Sequence, residues 1–257
     1  MIEVNPRLIG PKLKVERADE HIIEISALID AFLAPDPYVI LTEHDTVAGE
    51  TRLRLCATQQ PPTNLSVRCG EVLYLLRSAL DHAVTAVATQ RGATMIERTG
   101  FPIEETRQKF ESTLDKRKIK QRLPVLAEIL SLLQPYKGGN DYLWWLHWLN
   151  GAEKHQALVT VAAANVGVKI AAEFKHTGQD LTFKYPQTWQ PLDENNLPIV
   201  FVHPIGLQID GDMDISMNVA FSDIKSSQPY TLTDTLQQMS SAVVASIAML
   251  DAEFFSA

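Results

Sequence analysis

Two short stretches of this chain place an acid, a base and a histidine on otherwise apolar helical sequence. They are Leu75-Leu76-Arg77-Ser78-Ala79-Leu80-Asp81-His82 and Asn150-Gly151-Ala152-Glu153-Lys154-His155. Polar groups are costly to bury unless they are paired, so each stretch points either to a structural clasp or to an active site. Histidine titrates near neutrality and serves as a general acid or base, and arginine offers a planar fork suited to carboxylate or phosphate. At about 100° per residue, Leu73, Leu76, Leu80, Val84 and Val87 make an apolar stripe, with Arg77, Asp81 and His82 in the remaining arc. Arg77 and Asp81 stand at i and i+4 and can pair. Arg77 and His82 lie about 140° apart at that pitch, so they meet at one site only if a second helix or subunit completes it. In the clasp reading, Arg77 pairs with Asp81 and a hydrogen-bonded His82 anchors neighbouring helices.

In the second stretch, Trp144, Trp148, Gly151 and His155 share one helix face, and Trp145 and Leu149 cover an adjacent one. This predicts a helix buried nearly all round, with Gly151 admitting a close backbone neighbour. Glu153 faces away from His155. As structure, Glu153 would pair with a buried arginine such as Arg77, and His155 would cap the helix end in favour of its dipole. A metal reading would collect His82, His155, Glu153 and Asp81 from two helices, but no Glu-x-x-His pair is present and the faces disagree; no metal and no cofactor is expected.

A basic run, Lys116-Arg117-Lys118-Ile119-Lys120-Gln121-Arg122, reads most simply as a solvated helix face. Lys116, Arg117, Lys118, Lys120 and Arg122 could also dock RNA or an acidic partner. There is no Gly-x-Gly-x-x-Gly, no phosphate loop and no Gly-x-Ser-x-Gly. Asp210, Asp212 and Asp214 lack the later glutamate of a calcium loop.

The spacing Arg77-x4-His82 matches the motif of the HEPN superfamily, helical proteins that include metal-independent ribonucleases acting as dimers. That resemblance implies His82 as general acid or base on a ribose 2′-hydroxyl and Arg77 as the phosphate-stabilising group. The chain also resembles a largely uncharacterised bacterial family in the order of its features. These are Leu76-Arg77-Ser78-Ala79-Leu80-Asp81-His82, Phe101-Pro102-Ile103, Leu133-Gln134-Pro135-Tyr136, and Leu149-Asn150-Gly151-Ala152-Glu153-Lys154-His155. The last motif usually reads Asp-Lys-His-Arg in that family, whereas Glu153 and Gln156 stand here. The resemblance covers roughly residues 64 to 160 and implies a shared fold without an activity.

The elements that must position these residues follow from periodicity and breakers. Helices are predicted over 13–34, from Asn64 to Arg91, over 104–114 and 117–133 (restarting at Pro124), and from Asn140 or Asp141 through the tryptophans. Strands are predicted at Tyr38–Glu43, Thr51–Thr58, Leu158–Phe174, Leu181–Tyr185, Ile199–His203 and Met213–Phe221. In the last, Met213, Ile215, Met217, Val219 and Phe221 alternate with a wet face. Trp189–Pro198 reads as a polar loop. Leu232, Leu236, Met239, Val243, Ile247, Leu250 and Phe254 mark a final helix.

The expected fold is α+β: a helical bundle packed with a mainly antiparallel β-sheet, with the N- and C-terminal helices closing one body. It is read as a single domain over 1–257, with a helical motif-bearing part at about 64–156, a mainly β part at 157–222 and a C-terminal helix at 231–255. The 257 residues suffice for a sizeable core. No apolar run spans a bilayer, no signal peptide is evident, and Cys56 and Cys69 have neither disulfide-framework nor zinc spacing; a cytoplasmic setting with no membrane partner is expected. The net charge of −8 argues against broad nucleic-acid binding. Two functions stand open: a noncatalytic binding or interaction protein with a buried polar clasp, or a HEPN-like endoribonuclease of toxin or defence type using Arg77 and His82. RNA and a second copy of the chain are the candidate partners.

Overall fold

A computed structural model of the chain describes residues 6–92, 100–155, 161–174, 199–204, 209–221, 224 and 230–255. The predicted strand at Leu181–Tyr185 and the loop at Trp189–Pro198 lie outside the described residues. The fold is α+β. The helices are α1 (Ile9–Leu33), α2 (Asn64–Gln90), α3 (Arg107–Lys116), α4 (Ile119–Arg122), α5 (Pro124–Leu133), α6 (Asp141–His155) and α7 (Leu232–Phe254). The strands are β1 (Tyr38–Asp45), β2 (Glu50–Ala57), β3 (Val161–Phe174), β4 (Ile199–Pro204) and β5 (Ile209–Phe221). The chain divides into two compact units: Met1–Ile25 with Ser66–Val159 and Thr233–Ala257, and Ser26–Leu65 with Thr160–Leu232.

The first unit is helical. The apolar stripe of α2 is buried as its spacing requires, with Leu73, Leu76, Leu80 and Val87 at 0% exposure; Cys69 lies on the same buried surface. Gly92, at φ +66°, follows the end of that helix in the left-handed conformation that glycine adopts without strain. The N- and C-terminal helices pack on one another. Lys12 Nζ meets Asp251 Oδ2 at 2.7 Å, and Ser240 Oγ donates to Asp19 Oδ1 at 2.6 Å. Arg68 of α2 pairs with Glu24 of α1, beside the buried ring of His21. Arg91 lies over the Phe254 ring, 5.1 Å from its centroid, tying the end of α2 to the end of α7.

The segment between α2 and α6 is a run of short helices and turns. Thr106 caps α3, its hydroxyl accepting from Lys109 N–H at 3.2 Å. Pro124 opens α5, where a missing N–H costs nothing. The Gln134–Gly139 turn is tight: a Cβ on Gly139 would stand 2.6 Å from Gln134 O and 2.8 Å from a Tyr136 ring carbon. Asn140 Oδ1 accepts from Leu143 N–H at 3.1 Å and so caps α6.

The second unit holds the strands. β1, β2 and β4 form one antiparallel sheet in that order, and β3 pairs antiparallel with β5, among the described residues. β1 runs from Tyr38 opposite Ala57 to Asp45 opposite Glu50. The turn closes because Asp45 Oδ1 accepts from Val47 N–H (3.1 Å) and Ala48 N–H (2.9 Å). In β2, Thr51, Leu53 and Leu55 are buried and alternate with half-buried neighbours. The end of β5 departs from the predicted alternation: Val219, Ala220 and Phe221 are all buried, so no wet face survives there.

Candidate functional site

The first polar stretch folds into a clamp on the main chain of the extended segment after α2. Arg77 Nη2 donates to Asp81 Oδ1 at 2.9 Å and to Phe101 O at 2.6 Å. Asp81 Oδ1 in turn accepts from Phe101 N–H at 2.8 Å. One i,i+4 pair therefore satisfies both main-chain groups of Phe101, whose ring is fully buried. A second guanidinium joins in: Arg117 Nη1 donates to Gly100 O at 2.7 Å. Gly100 fits because a Cβ there would come within 3.1 Å of Asp81 Oδ1.

The same segment reaches the next motif. Glu104 N–H donates to Pro135 O at 3.0 Å, and Glu104 forms an isolated parallel bridge with Tyr136. Thr113 Oγ1 donates to Glu104 Oε1 at 2.7 Å, while the Tyr136 ring packs 5.8 Å from that of Phe110. Arg77 with Asp81, Phe101-Pro102-Ile103 and Gln134-Pro135-Tyr136 are thus one connected assembly.

Glu104 in this assembly and His147 near it carry no sequence prediction of a site role, and Arg117, expected as a surface cation that could dock RNA or an acidic partner, is drawn into the clamp instead. Arg117 is hidden in a basic run that reads as solvated surface. His147 was legible in principle, as a titratable ring inside the apolar stretch Tyr142–Leu149. Burial holds the His147 imidazole below the ordinary histidine range, and Arg77 pushes the same way, against smaller opposing effects of Glu104 and Asp81. Burial also lowers the Arg77 pKa, opposed by the Asp81 carboxylate and reinforced by Arg117; arginine nonetheless stays charged. Two atoms are buried without a hydrogen-bond partner among the described residues, Arg77 Nη1 and Asn150 Oδ1. The chemistry available here is that of fixed charges holding main chain, with a half-buried imidazole nearby.

His82 stands elsewhere. It is exposed and lines an open cleft of about 380 Å3 with Arg7, Gly10, Pro11, Thr85, Ala86 and Thr89. The Thr85 and Thr89 hydroxyls return to the helix, donating to Asp81 O and Thr85 O at 2.8 Å each. Within one chain, then, Arg77 and His82 do not line one site, as their separation on the helix requires. The anchoring role expected of His82 in a clasp falls instead to Asp81 and Arg117.

The second stretch behaves differently from expectation. The buried side of α6 is Leu143, Leu146, Leu149 and Asn150, while Trp148 is 39% exposed and Trp144 and Trp145 are half-buried. Leucines at helical spacing set the inward face, and the indoles lie along its flanks. Tyr142 meets Trp145 edge-on at 5.4 Å, and Trp144 lies 6.2 Å from the His147 ring. A Cβ on Gly151 would meet nothing within 4 Å among the described residues, so none of these makes the expected close approach there. The side chains of Glu153, Lys154 and His155, and with them the expected pairing of Glu153 with Arg77, lie outside the described residues.

The basic run is not one helix face. The chain turns at Lys118, φ +57°, between α3 and α4. Arg117 goes inward to Gly100, and Lys120 is held by Glu111 at 2.7 Å and Asp115 at 3.2 Å. Lys116, Lys118 and Arg122 remain exposed. Among the described residues no three His, Cys, Asp or Glu side chains are grouped to hold a metal ion, and no helix is long and apolar enough to cross a membrane. Comparison with protein-family models, with curated proteins and with solved structures finds no match to this chain.

Proposed function

We propose that this chain is a noncatalytic binding or interaction protein, and that Arg77 and Asp81 form the clasp that shapes its helical unit. The observation carrying this reading is that the pair engages both the N–H and the C=O of Phe101, at 2.8 and 2.6 Å. A guanidinium occupied by a main-chain carbonyl and a carboxylate is poorly disposed to clamp a phosphate. Removing one partner leaves the other as a buried unpaired charge. Arg77→Ala and Asp81→Ala are therefore expected to destabilise the fold by roughly 2–4 kcal/mol, somewhat below the cost of breaking a fully buried pair because Asp81 is part-exposed. Chemical denaturation measures this, and unchanged midpoints in both variants would refute the clasp.

A second reading, a HEPN-like metal-independent endoribonuclease, is favoured by one observation: His82 is exposed in an open cleft beside Arg7. An imidazole so placed can exchange protons with a bound ribose hydroxyl. The test is RNA cleavage in EDTA by wild type and His82→Ala. Cleavage that requires His82 in a variant as stable as wild type establishes this reading, and absence of cleavage leaves the binding protein.

A further inference from the structure

Among the described residues, β1 is an outer strand of its sheet, with no strand on its far side. Its pairing with β2 places Ile40 opposite Leu55, Thr42 opposite Leu53 and His44 opposite Thr51, so these pairs share one face. On β2 that face is covered, with Leu55, Leu53 and Thr51 at 0, 9 and 2% exposure; one strand further out Ile40 is 39% exposed. The opposite face of β1 is bare too, with Val39 at 42% and Leu41 at 45%. Thus Tyr38-Val39-Ile40-Leu41-Thr42 is an uncharged run of high β-propensity at the end of a sheet. The usual defences of an edge are charged side chains, above all lysine, a proline or a bulge. β1 contains no lysine or proline, its acids Glu43 and Asp45 lie at one end outside the uncharged run, and its register with β2 is unbroken.

The hydrogen-bond phase of the edge is determined by its neighbour. Thr58 N–H donates to Pro37 O at 3.0 Å, extending the β1–β2 register by one pair. In an antiparallel ladder, bonded and non-bonded pairs alternate. Odd positions from Pro37 onward therefore face β2, and the peptide groups of Ile40, Thr42 and His44 face outward, where no described strand meets them.

We propose that β1 pairs antiparallel with β1 of a second copy of this chain, centred on Ile40, joining the two sheets into one. The phase permits this register, because Ile40 presents both N–H and C=O to the outside. The register sets Val39 against the partner's Leu41 and Tyr38 against the partner's Thr42, apolar or neutral throughout. Glu43 and Asp45 fall beyond the run, past the point where the partner's strand begins at Tyr38 after the left-handed turn at Asp36, so within the paired run no acid stands against another. A two-fold contact needs such a self-complementary strip.

The test is sedimentation velocity across a concentration series for wild type, Ile40→Pro, Ile40→Lys and Leu13→Lys. Ile40→Pro removes an outward N–H without touching the β2 ladder, Ile40→Lys restores an edge defence, and Leu13→Lys alters an exposed apolar residue on α1. The expected result is a wild-type dimer, unaffected by Leu13→Lys and weakened at least tenfold by both Ile40 variants at unchanged far-ultraviolet circular dichroism. Should Ile40→Pro fail to fold, Ile40→Lys alone decides. A wild type that stays monomeric at every concentration overturns the proposal, as does a folded Ile40→Lys variant that dimerises like wild type. In the first case the edge is open to some other extended chain.

Discussion

At the scale of single residues, His147 carries a pH dependence whose sign follows from its surroundings. Burial and the Arg77 charge hold its folded-state pKa below the ordinary value. The unfolded chain therefore takes up the proton first as pH falls. The stability this residue contributes is present in full above the ordinary histidine pKa and is lost as pH drops through it toward the folded value. Melting temperature should thus fall on acidification through that range, and His147→Gln, which cannot titrate, should fall less. Equal slopes for the two proteins would show that His147 is not the titrating group. Sequence reading reached Arg77 and Asp81 because a charged i,i+4 pair on an apolar helix is conspicuous. It took Arg117 for a surface cation, since nothing in a run of lysines and arginines tells which one turns inward; that depends on the left-handed turn at Lys118 and on where Gly100 lies.

At the scale of elements, helix positions were legible and helix faces less so. α1, α2 and α7 carry a single apolar stripe each, and the predicted bounds come within a few residues of Ile9–Leu33, Asn64–Gln90 and Leu232–Phe254. α6 has apolar residues around its circumference, so pattern alone could not choose a face, and the tryptophans misled. Turns leave a sharper signal. Gly139 admits no side chain without displacing Gln134 O or Tyr136, and Gly139→Ala is expected to destabilise the fold by about 1–3 kcal/mol through overpacking. A denaturation midpoint equal to wild type would mean that the turn relaxes freely and does not hold Pro135 O against Glu104.

At the scale of the whole molecule, charge decides which partners are approached. The chain carries −8. Of its basic run, Arg117 is turned to main chain and Lys120 is neutralised by Glu111 and Asp115. The few exposed cations left there make a small patch on an acidic body, and polyanion affinity scales with the number of phosphates neutralised. The protein should elute from a heparin column at or below physiological salt. Retention well above it would point to a cationic surface beyond the Lys116–Arg122 run and would strengthen the ribonuclease reading. The α+β class itself was readable, because stretches of helical period and of strand-like sequence occupy different parts of the chain. The division into two compact units was readable only in part: its boundaries at 159/160 and 232/233 lie close to the predicted changes at 157 and 231, whereas those inside α1 and at the start of α2 have no break in pattern to mark them.

The two cysteines differ in one respect that turns the protein into its own reporter. Cys56 is half-buried on β2, whereas Cys69 is sealed within α2, where burial pushes its thiol up to about 12. Only a thiolate reacts with alkylating reagents, so in the native protein Cys56 is modified and Cys69 is spared. Slow labelling of Cys69 then counts the moments at which α2 leaves its neighbours. Its rate measures how often the helix that carries the clasp comes loose, without a probe being added or a residue being changed.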